Sequence, residues 1–389
     1  MAHLNSLHDR AISAPESGIV EVVNYGRQKE GLIPLWVGEG DLATPKFICD
    51  AAHQALLDGD TFYTWQRGVP EMRQALADYH KRLYQRNFLP DRFFVTGSGM
   101  QAIQLCIQAI SGHDDEVIIP TPAWPNFSAA LEVSGGRAVA VPMQFSLDGW
   151  TLDFDRITSA ITDRTRAIFL NSPSNPTGWV ATREDLSDIL RIARDRGLWI
   201  VADEVYGQFY FRQDAKRAPS FYDIMEPEDR ILFVNTMSKN WSMTGWRVGW
   251  ISAPAELGQV FENLIQYSTS GVAPFMQQAA ATALNEGDFF VREQVERAQH
   301  GRTLFLNILR KSNRVRLAEP DGAFYLFLAF EGENDSTQAA KRIVDEANIG
   351  LAPGSAFGSA GEGYLRLCFA RQHAELEQAA HRLSRWLSD

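Results

Sequence analysis

Lysine is scarce in this chain. Only seven of its 37 basic residues are lysines (Lys29, Lys46, Lys81, Lys216, Lys239, Lys311 and Lys341), and 48 acidic residues outnumber the basic ones, for a formal net charge of −11. That balance argues against a protein that neutralises a nucleic-acid backbone, which needs a basic face, while leaving room for local anion sites built from a few arginines. Cysteine is scarcer still. Cys49, Cys106 and Cys368 lie far apart with no CxxC pair, which reads as reduced thiols buried as small apolar side chains. No apolar run approaches the roughly 20 residues of a membrane helix. The N-terminus MAHLNSLHDR lacks the apolar core of a signal peptide, so a cytoplasmic location is expected, with no membrane and no nucleic acid among the partners. Also missing are HExxH, ligand-spaced Cys/His sets and GxSxG, which leaves no support for a metal site or a serine-hydrolase elbow.

What is present suits an enzyme. The 389 residues, 45% hydrophobic and 22% charged, are enough for two domains or one large α/β unit with an appended lobe. Apolar runs of strand length alternate with helix-period stretches. RAIFL (166–170) reads as a strand opening into NSPSNPTG; TREDLSDILRIARDRG follows as a helix. Thr182 and Asp185 have capping-box spacing, Leu186, Ile189, Leu190 and Ala193 form an inner face, and Gly197 marks the stop. LWIVADEV (198–205), ILFVNT (231–236) and WRVGWISA (246–253) read as further strands. FFVTGSGMQAIQLCIQAISG reads as a strand, a glycine turn and a helix, with DEVIIP as the next strand. Such alternation predicts an α/β fold around a mostly parallel sheet. From about residue 296 the pattern changes: GAFYLFLAF and GYLRLCFA flank the helix-like TQAAKRIVDEA, as in a separate α+β lobe. Residues 1–45 are assigned to an N-terminal arm that joins the small domain, 46–295 to a large domain and 296–389 to the small one.

Several short stretches carry chemistry. Lys239 follows the apolar run ILFVNT in a chain that prefers arginine. A surface loop lysine is the commoner reading, but a lysine at the carboxyl end of a central strand can be desolvated into an amine nucleophile. Asp203 ends LWIVA, where it is either a local cap or a buried anion that needs a positive partner. GSGMQ (97–101) exposes backbone N–H groups at a helix start, which suits a phosphate, though a plain tight turn fits as well. SPSNPTG (172–178) fixes Asn175 between prolines and points its amide outward. PTPAWPNF (120–127) sets Trp124 as core or as a stacking face. Arg366 lies inside the apolar strand GYLRLCFA, where a buried guanidinium requires a partner such as a ligand carboxylate. VGEGDLA (37–43) matches G-x-G-x-x-A, but its helix starts late, at Thr44-Pro45, and Asp58 and Asp60 end that helix instead of a strand, so a dinucleotide site is discounted.

In this order GSGMQ, PAWPNF, SPSNPTG, DEVY, SKN followed six residues later by Arg247, and YLRLCFA resemble the class I/II aminotransferases of the pyridoxal-phosphate fold-type-I group, from about Gly38 to Arg366. The resemblance implies a large domain with a mostly parallel sheet flanked by helices, a smaller α+β domain, and pyridoxal 5'-phosphate as cofactor. It assigns Lys239 to the covalent cofactor link and to proton movement, Asp203 to the pyridine nitrogen, and Tyr206 with Asn175 to the ring's phenolic oxygen. Trp124 is assigned to stacking, and Ser98, Gly99, Met100, Thr236 and Arg247 to the phosphate. Tyr63 would reach a neighbouring subunit's phosphate, which implies a homodimer with shared active sites. Gly38, Asn175 and Arg366 would hold the α-carboxylate of an amino-acid or 2-oxo-acid substrate.

Two departures bear on the donor. The stretch STSGVAPF (268–275) has no arginine and Met100 stands where one subgroup has a lysine, so no cation is evident for a second substrate carboxylate. The expected donor is neutral or aromatic, with 2-oxoglutarate as acceptor and Trp65, Phe275 and Phe357 as candidate pocket residues. The main rival is a β-lyase cleaving a C–S bond with the same cofactor. A non-catalytic ligand-sensing module of this fold is a second rival, and a nicotinamide dehydrogenase a distant third.

Overall fold

The apolar runs assemble into one seven-stranded sheet in the computed structural model, which describes residues 3, 6–212 and 215–388. Residues 1, 2, 4 and 5 of the expected arm, 213 and 214 of the large segment and 389 of the small one lie outside the described residues. The strands are β1 (Phe93–Thr96), β2 (Glu116–Thr121), β3 (Arg137–Pro142), β4 (Thr165–Asn171), β5 (Trp199–Asp203), β6 (Ile231–Thr236) and β7 (Gly249–Ser252), in the order β1-β7-β6-β5-β4-β2-β3. Strands β3, β2, β4, β5 and β6 run parallel. Only β7 is antiparallel to its neighbours β6 and β1.

Both faces of the central strands are covered, which is why they read as apolar runs instead of alternating with polar residues, while the edge strand β3 stays largely open. Val117 and Ile119 of β2 pack with Ile103 and Cys106 from the helix Gly99–Ile110. Ile118, pointing the other way, packs with Leu186, Ile189 and Leu190 from the helix Arg183–Arg196. That second helix starts on the capping box read from the sequence. Thr182 Oγ1 accepts from Asp185 N–H at 3.1 Å and the Asp185 carboxylate accepts from Thr182 N–H at 2.8 Å. It stops at Gly197, whose φ of 64° is costly for other residues.

A second, antiparallel sheet is built from β8 (Val315–Leu317), β9 (Tyr325–Phe330), β10 (Ala352–Pro353) and β11 (Leu365–Cys368), in the order β8-β9-β11-β10. The arm adds a separate two-stranded sheet beside it, in which Ile33–Pro34 pairs in parallel with Ile349–Gly350. The helix Gly18–Gly26 sits on the same lobe, with Gly18 against Ala356 and Gly26 under Trp36. The helix Asp288–Leu309 runs unbroken through residues 295 and 296. Among the described residues no helix is long and apolar enough to cross a membrane.

Two expectations need correction. The run 246–253 is not strand throughout. Thr244–Trp246 forms a single 3-10 turn, Arg247 takes φ 55°, and the strand begins at Gly249. Apolar patterning does not report a turn that re-aims one arginine. Nor are all three thiols buried: Cys106 and Cys368 are, but Cys49 is exposed. Its helix, Lys46–Leu57, buries Ile48, Ala52 and Ala55, and Cys49 lies off that stripe.

Thr182→Ala should remove the cap and cost about 1 kcal/mol. We expect a fall of roughly 2–4 °C in the thermal midpoint with unchanged catalytic turnover, checked by calorimetry beside an activity assay.

Candidate active site

The parallel strands place their carboxyl ends along one edge of the large sheet, and loops leaving those ends supply the chemistry, as is usual for open α/β sheets. Asn171 ends β4, Asp203 ends β5 and Thr236 ends β6. Together with the arm and β11 they line a cavity of about 520 Å³, the size of a cofactor or substrate pocket.

Lys239 lies in the one-turn helix Met237–Asn240 that follows β6, and its amine donates to the Gly38 carbonyl at 2.7 Å. Burial lowers its pKa from 10.5 to about 8, with Arg366 pushing the same way. At neutral pH about a tenth of such amines are unprotonated, against well under a thousandth for an ordinary lysine.

Asp203 is 3% exposed. Its carboxylate receives a single hydrogen bond among the described residues, a long 3.4 Å contact from Val205 N–H. Burial pushes its pKa up to about 7, while that contact and the nearby Lys239 charge oppose the rise. Arg366, on β11, is the opposite case. It is 2% exposed, donates to Asn175 Oδ1 at 2.8 Å and to the Trp36 carbonyl, and keeps Nε buried without a partner. Its guanidinium lies 4.6 Å from the Tyr325 ring centre and 4.9 Å from that of Phe357. Neither charge has an ion-pair partner among the described residues. A buried carboxylate and a buried guanidinium left in this condition are expensive, and both face a cavity where ligand groups could complete them.

The remaining residues of the resemblance fall around these three. Asn175 faces the cavity and not solvent, which corrects the outward reading. Asn171 Oδ1 accepts the Asn175 backbone N–H at 2.8 Å and so folds the turn inward. Tyr206 is buried and shares a 2.8 Å hydrogen bond with the Tyr325 hydroxyl; burial raises its pKa. Trp124 precedes the helix Pro125–Ser134 and lines the cavity. At the opposite end Gly99 opens the helix Gly99–Ile110, with Ser98 as its cap, and Met100 lines the wall. Beside them lie the Thr236 hydroxyl, 2.9 Å from that of Ser238, and Arg247. Free N–H groups at a helix start, two hydroxyls and a guanidinium make an anion cup. Tyr63 is elsewhere. It is 95% exposed and does not line this chain's cavity. None of the other candidates is in the cavity lining: Phe357 packs under Arg366, and Trp65 and Phe275 lie apart from it. Among the described residues no group of three or more His, Cys, Asp or Glu converges as metal ligands.

Sequence reasoning missed Ser238, Tyr325 and Gly249. Ser238 adjoins Lys239 and could have been found from SKN alone. Gly249 carries no signal, yet a Cβ there would come within 2.7 Å of the Gly99 nitrogen and close the phosphate-sized loop.

The family model for aminotransferase class I and II matches residues 30–383. The aspartate aminotransferase of Pyrococcus horikoshii is 32% identical over 382 residues, 97% of this chain and 96% of that protein. The aromatic-amino-acid aminotransferase 2 of Thermococcus litoralis is 31% identical over 388 residues, 99% of each chain. The crystal structure of aspartate aminotransferase from Thermotoga maritima matches with a TM-score of 0.91 at 30% identity, covering 98% of this chain and 100% of that one.

The raised Asp203 pKa has a signed consequence. The folded carboxyl titrates near 7 and the unfolded one near 3.8, so its contribution to stability is full below the unfolded value and lost as pH rises through 7. In cofactor-free protein, Asp203→Asn should raise the thermal midpoint by ~2–5 °C at pH 8, a gain that shrinks toward pH 5. Scanning calorimetry across that range checks it; a gain of equal size at every pH would contradict the buried, unpaired acid.

Proposed function

The chain belongs to the class I and II aminotransferases, and from that premise we propose that it moves the α-amino group of a neutral or aromatic amino acid to 2-oxoglutarate. The observation that carries this reading is the pair of buried charges, Asp203 and Arg366, that lack an ion-pair partner among the described residues, with a lysine of lowered pKa in the same cavity.

Enzymes of this family use pyridoxal 5'-phosphate, and the residues present fit it. When bound, that group supplies an aldehyde for an amine and a ring that accepts the electron pair released at the substrate's α-carbon. Asp203 would hold a proton on the ring nitrogen, which gives the buried carboxylate its missing positive partner. Trp124 would cover one face of the ring, and Tyr206 with Asn175 would face the phenolic oxygen. Ser98, the N–H groups of Gly99 and Met100, Thr236 and Arg247 would hold the phosphate. Arg366, with the Gly38 peptide and Asn175, would orient the α-carboxylate. Lys239 would hold the cofactor at rest. Once free of the cofactor, its amine would be the base that accepts the substrate's α-proton, a role that suits a pKa of about 8.

The donor preference rests on the apolar part of the cavity wall. It includes Ile19, Val20, Val23 and Val37, and the cavity's only cations among the described residues are Lys239, Arg247 and Arg366. None is left for a side-chain carboxylate. Of the relatives above, the one named for aromatic amino acids therefore suits this wall better than those named for aspartate.

A homodimer with shared sites belongs to the same reading. Phe62, Tyr63, Trp65 and Tyr267 are 80%, 95%, 65% and 88% exposed, an apolar grouping that a second copy would cover, with Tyr63 turned toward the partner's phosphate cup. A reducing, cytoplasmic location accords with three free thiols. We also read residues 46–295 as the cofactor-binding domain, and the arm of 1–45 with 296–389 as the smaller one.

The assignment is open to direct measurement. Lys239→Ala should lose the visible absorbance of the bound cofactor and more than about 10³-fold of its turnover. A panel of amino donors with 2-oxoglutarate should favour aromatic and apolar donors over aspartate. Arg366→Ala should raise KM for those donors by roughly 10- to 100-fold. Release of pyruvate and ammonia from cysteine conjugates, with no oxo acid required and no amino transfer, would sink the transaminase reading in favour of the lyase.

A further inference from the structure

Tyr325 has no part in the assignments above, yet it stands where the two halves of the site meet. It opens β9, is fully buried and lines the cavity. Its hydroxyl lies 2.8 Å from that of Tyr206, its ring lies under Arg366 at 4.6 Å, and a Cβ on Gly38 would come within 2.5 Å of its oxygen.

Two phenols joined by one hydrogen bond own two protons between them. One proton sits in the bond; the other must find an acceptor elsewhere or remain a buried, unsatisfied donor. Suppose Tyr206 were the donor. The Tyr325 proton would then need its own acceptor, and the hydroxyl makes no other hydrogen bond among the described residues. The charged group against its ring, Arg366, has donors only. If instead Tyr325 donates, its proton is satisfied. Tyr206 then keeps its own proton free for the cavity, where the cofactor's phenolic oxygen would accept it. The second arrangement leaves nothing unpaired once the cofactor is bound.

We propose that Tyr325 is a positioning residue: by donating its hydroxyl proton to Tyr206, it fixes Tyr206 as a donor toward the phenolic oxygen of the cofactor. The proposal rests on the aminotransferase reading for the role of Tyr206. The other titratable or charged groups facing this pair are Asp203 at the end of β5, Lys239 in the helix after β6, and Arg366 and Cys368 on β11. None of them is placed to accept from Tyr325 while also leaving Tyr206 to donate.

A hydrogen bond to the phenolic oxygen stabilises its negative charge after the neighbouring nitrogen loses its proton, and so lowers the pH at which the bound cofactor changes colour. Loss of that donor must raise the midpoint. The test is a spectrophotometric pH titration of the holoenzyme in four forms: unaltered, Tyr325→Phe, Tyr206→Phe and the double variant. Tyr325→Phe, which keeps the Tyr206 donor but loses the bond that orients and polarises it, should raise the midpoint by ~0.2–0.4 pH unit. Tyr206→Phe should raise it at least as far. The double variant should match Tyr206→Phe alone, because Tyr325 acts only through that phenol. An unchanged midpoint in Tyr325→Phe, a fall instead of a rise, or additive shifts in the double variant would each overturn the proposal. A Tyr325→Phe protein that had simply lost its packing would show a lowered melting temperature without the shift, which also counts against it. Unaltered protein that takes up no cofactor would defeat the functional reading itself, an outcome separable from the others because no visible band exists to titrate.

Discussion

The burial of two opposite charges that do not reach each other governs this molecule. A carboxylate and a guanidinium brought within hydrogen-bond distance would make an ordinary internal ion pair and end the matter. Here Asp203 closes a strand of the large sheet and Arg366 lies mid-strand in the small one, and each is left to a carbonyl, an amide or one long N–H contact. Desolvation makes both intolerant of an empty surrounding. The same desolvation holds Lys239 well below a free lysine. One physical cause thus gives an acid that wants a cation, a cation that wants an acid, and an amine that can lose its proton near neutral pH.

The fold is what keeps the two charges apart. Parallel strands can only be joined by crossovers, so all their carboxyl ends emerge on one edge, and Asn171, Asp203 and Thr236 are set side by side without any loop having to reach. The reversed strand β7 then serves a different purpose. It runs back beside β6 and β1 and brings Gly249 against the start of the helix Gly99–Ile110. The absence of a side chain there lets the anion cup form directly on the sheet edge.

Much of this was legible beforehand, for physical reasons. Asp203, Lys239 and Arg366 stood out because a charge inside or at the end of an apolar run has a desolvation cost that only a role can offset. The capping box at Thr182 and the stop at Gly197 were legible because caps are local chemistry. The aim of Asn175 was not: it depends on Asn171, four residues away in sequence but across the turn. The reading of residues 246–253 as one strand failed because hydrophobic alternation continues through a turn that only backbone dihedrals reveal. Tyr325 was hidden by its own apolarity. In GAFYLFLAF an aromatic residue at a strand start is ordinary core, and only the meeting of β9 with the segment after β5 shows its hydroxyl against Tyr206.

The short stretch Trp36–Gly38 links these parts. The carbonyl of Trp36 holds Arg366 and the carbonyl of Gly38 holds the Lys239 amine, so one extended strap touches both cationic side chains. Gly38 has to be glycine for this, since a Cβ would strike the Tyr325 hydroxyl. The strap begins at Ile33–Pro34, which pairs with Ile349–Gly350 of the small lobe, whereas Lys239 hangs from the large sheet. Only Val37 separates the two residues whose carbonyls hold the Arg366 guanidinium and the Lys239 amine.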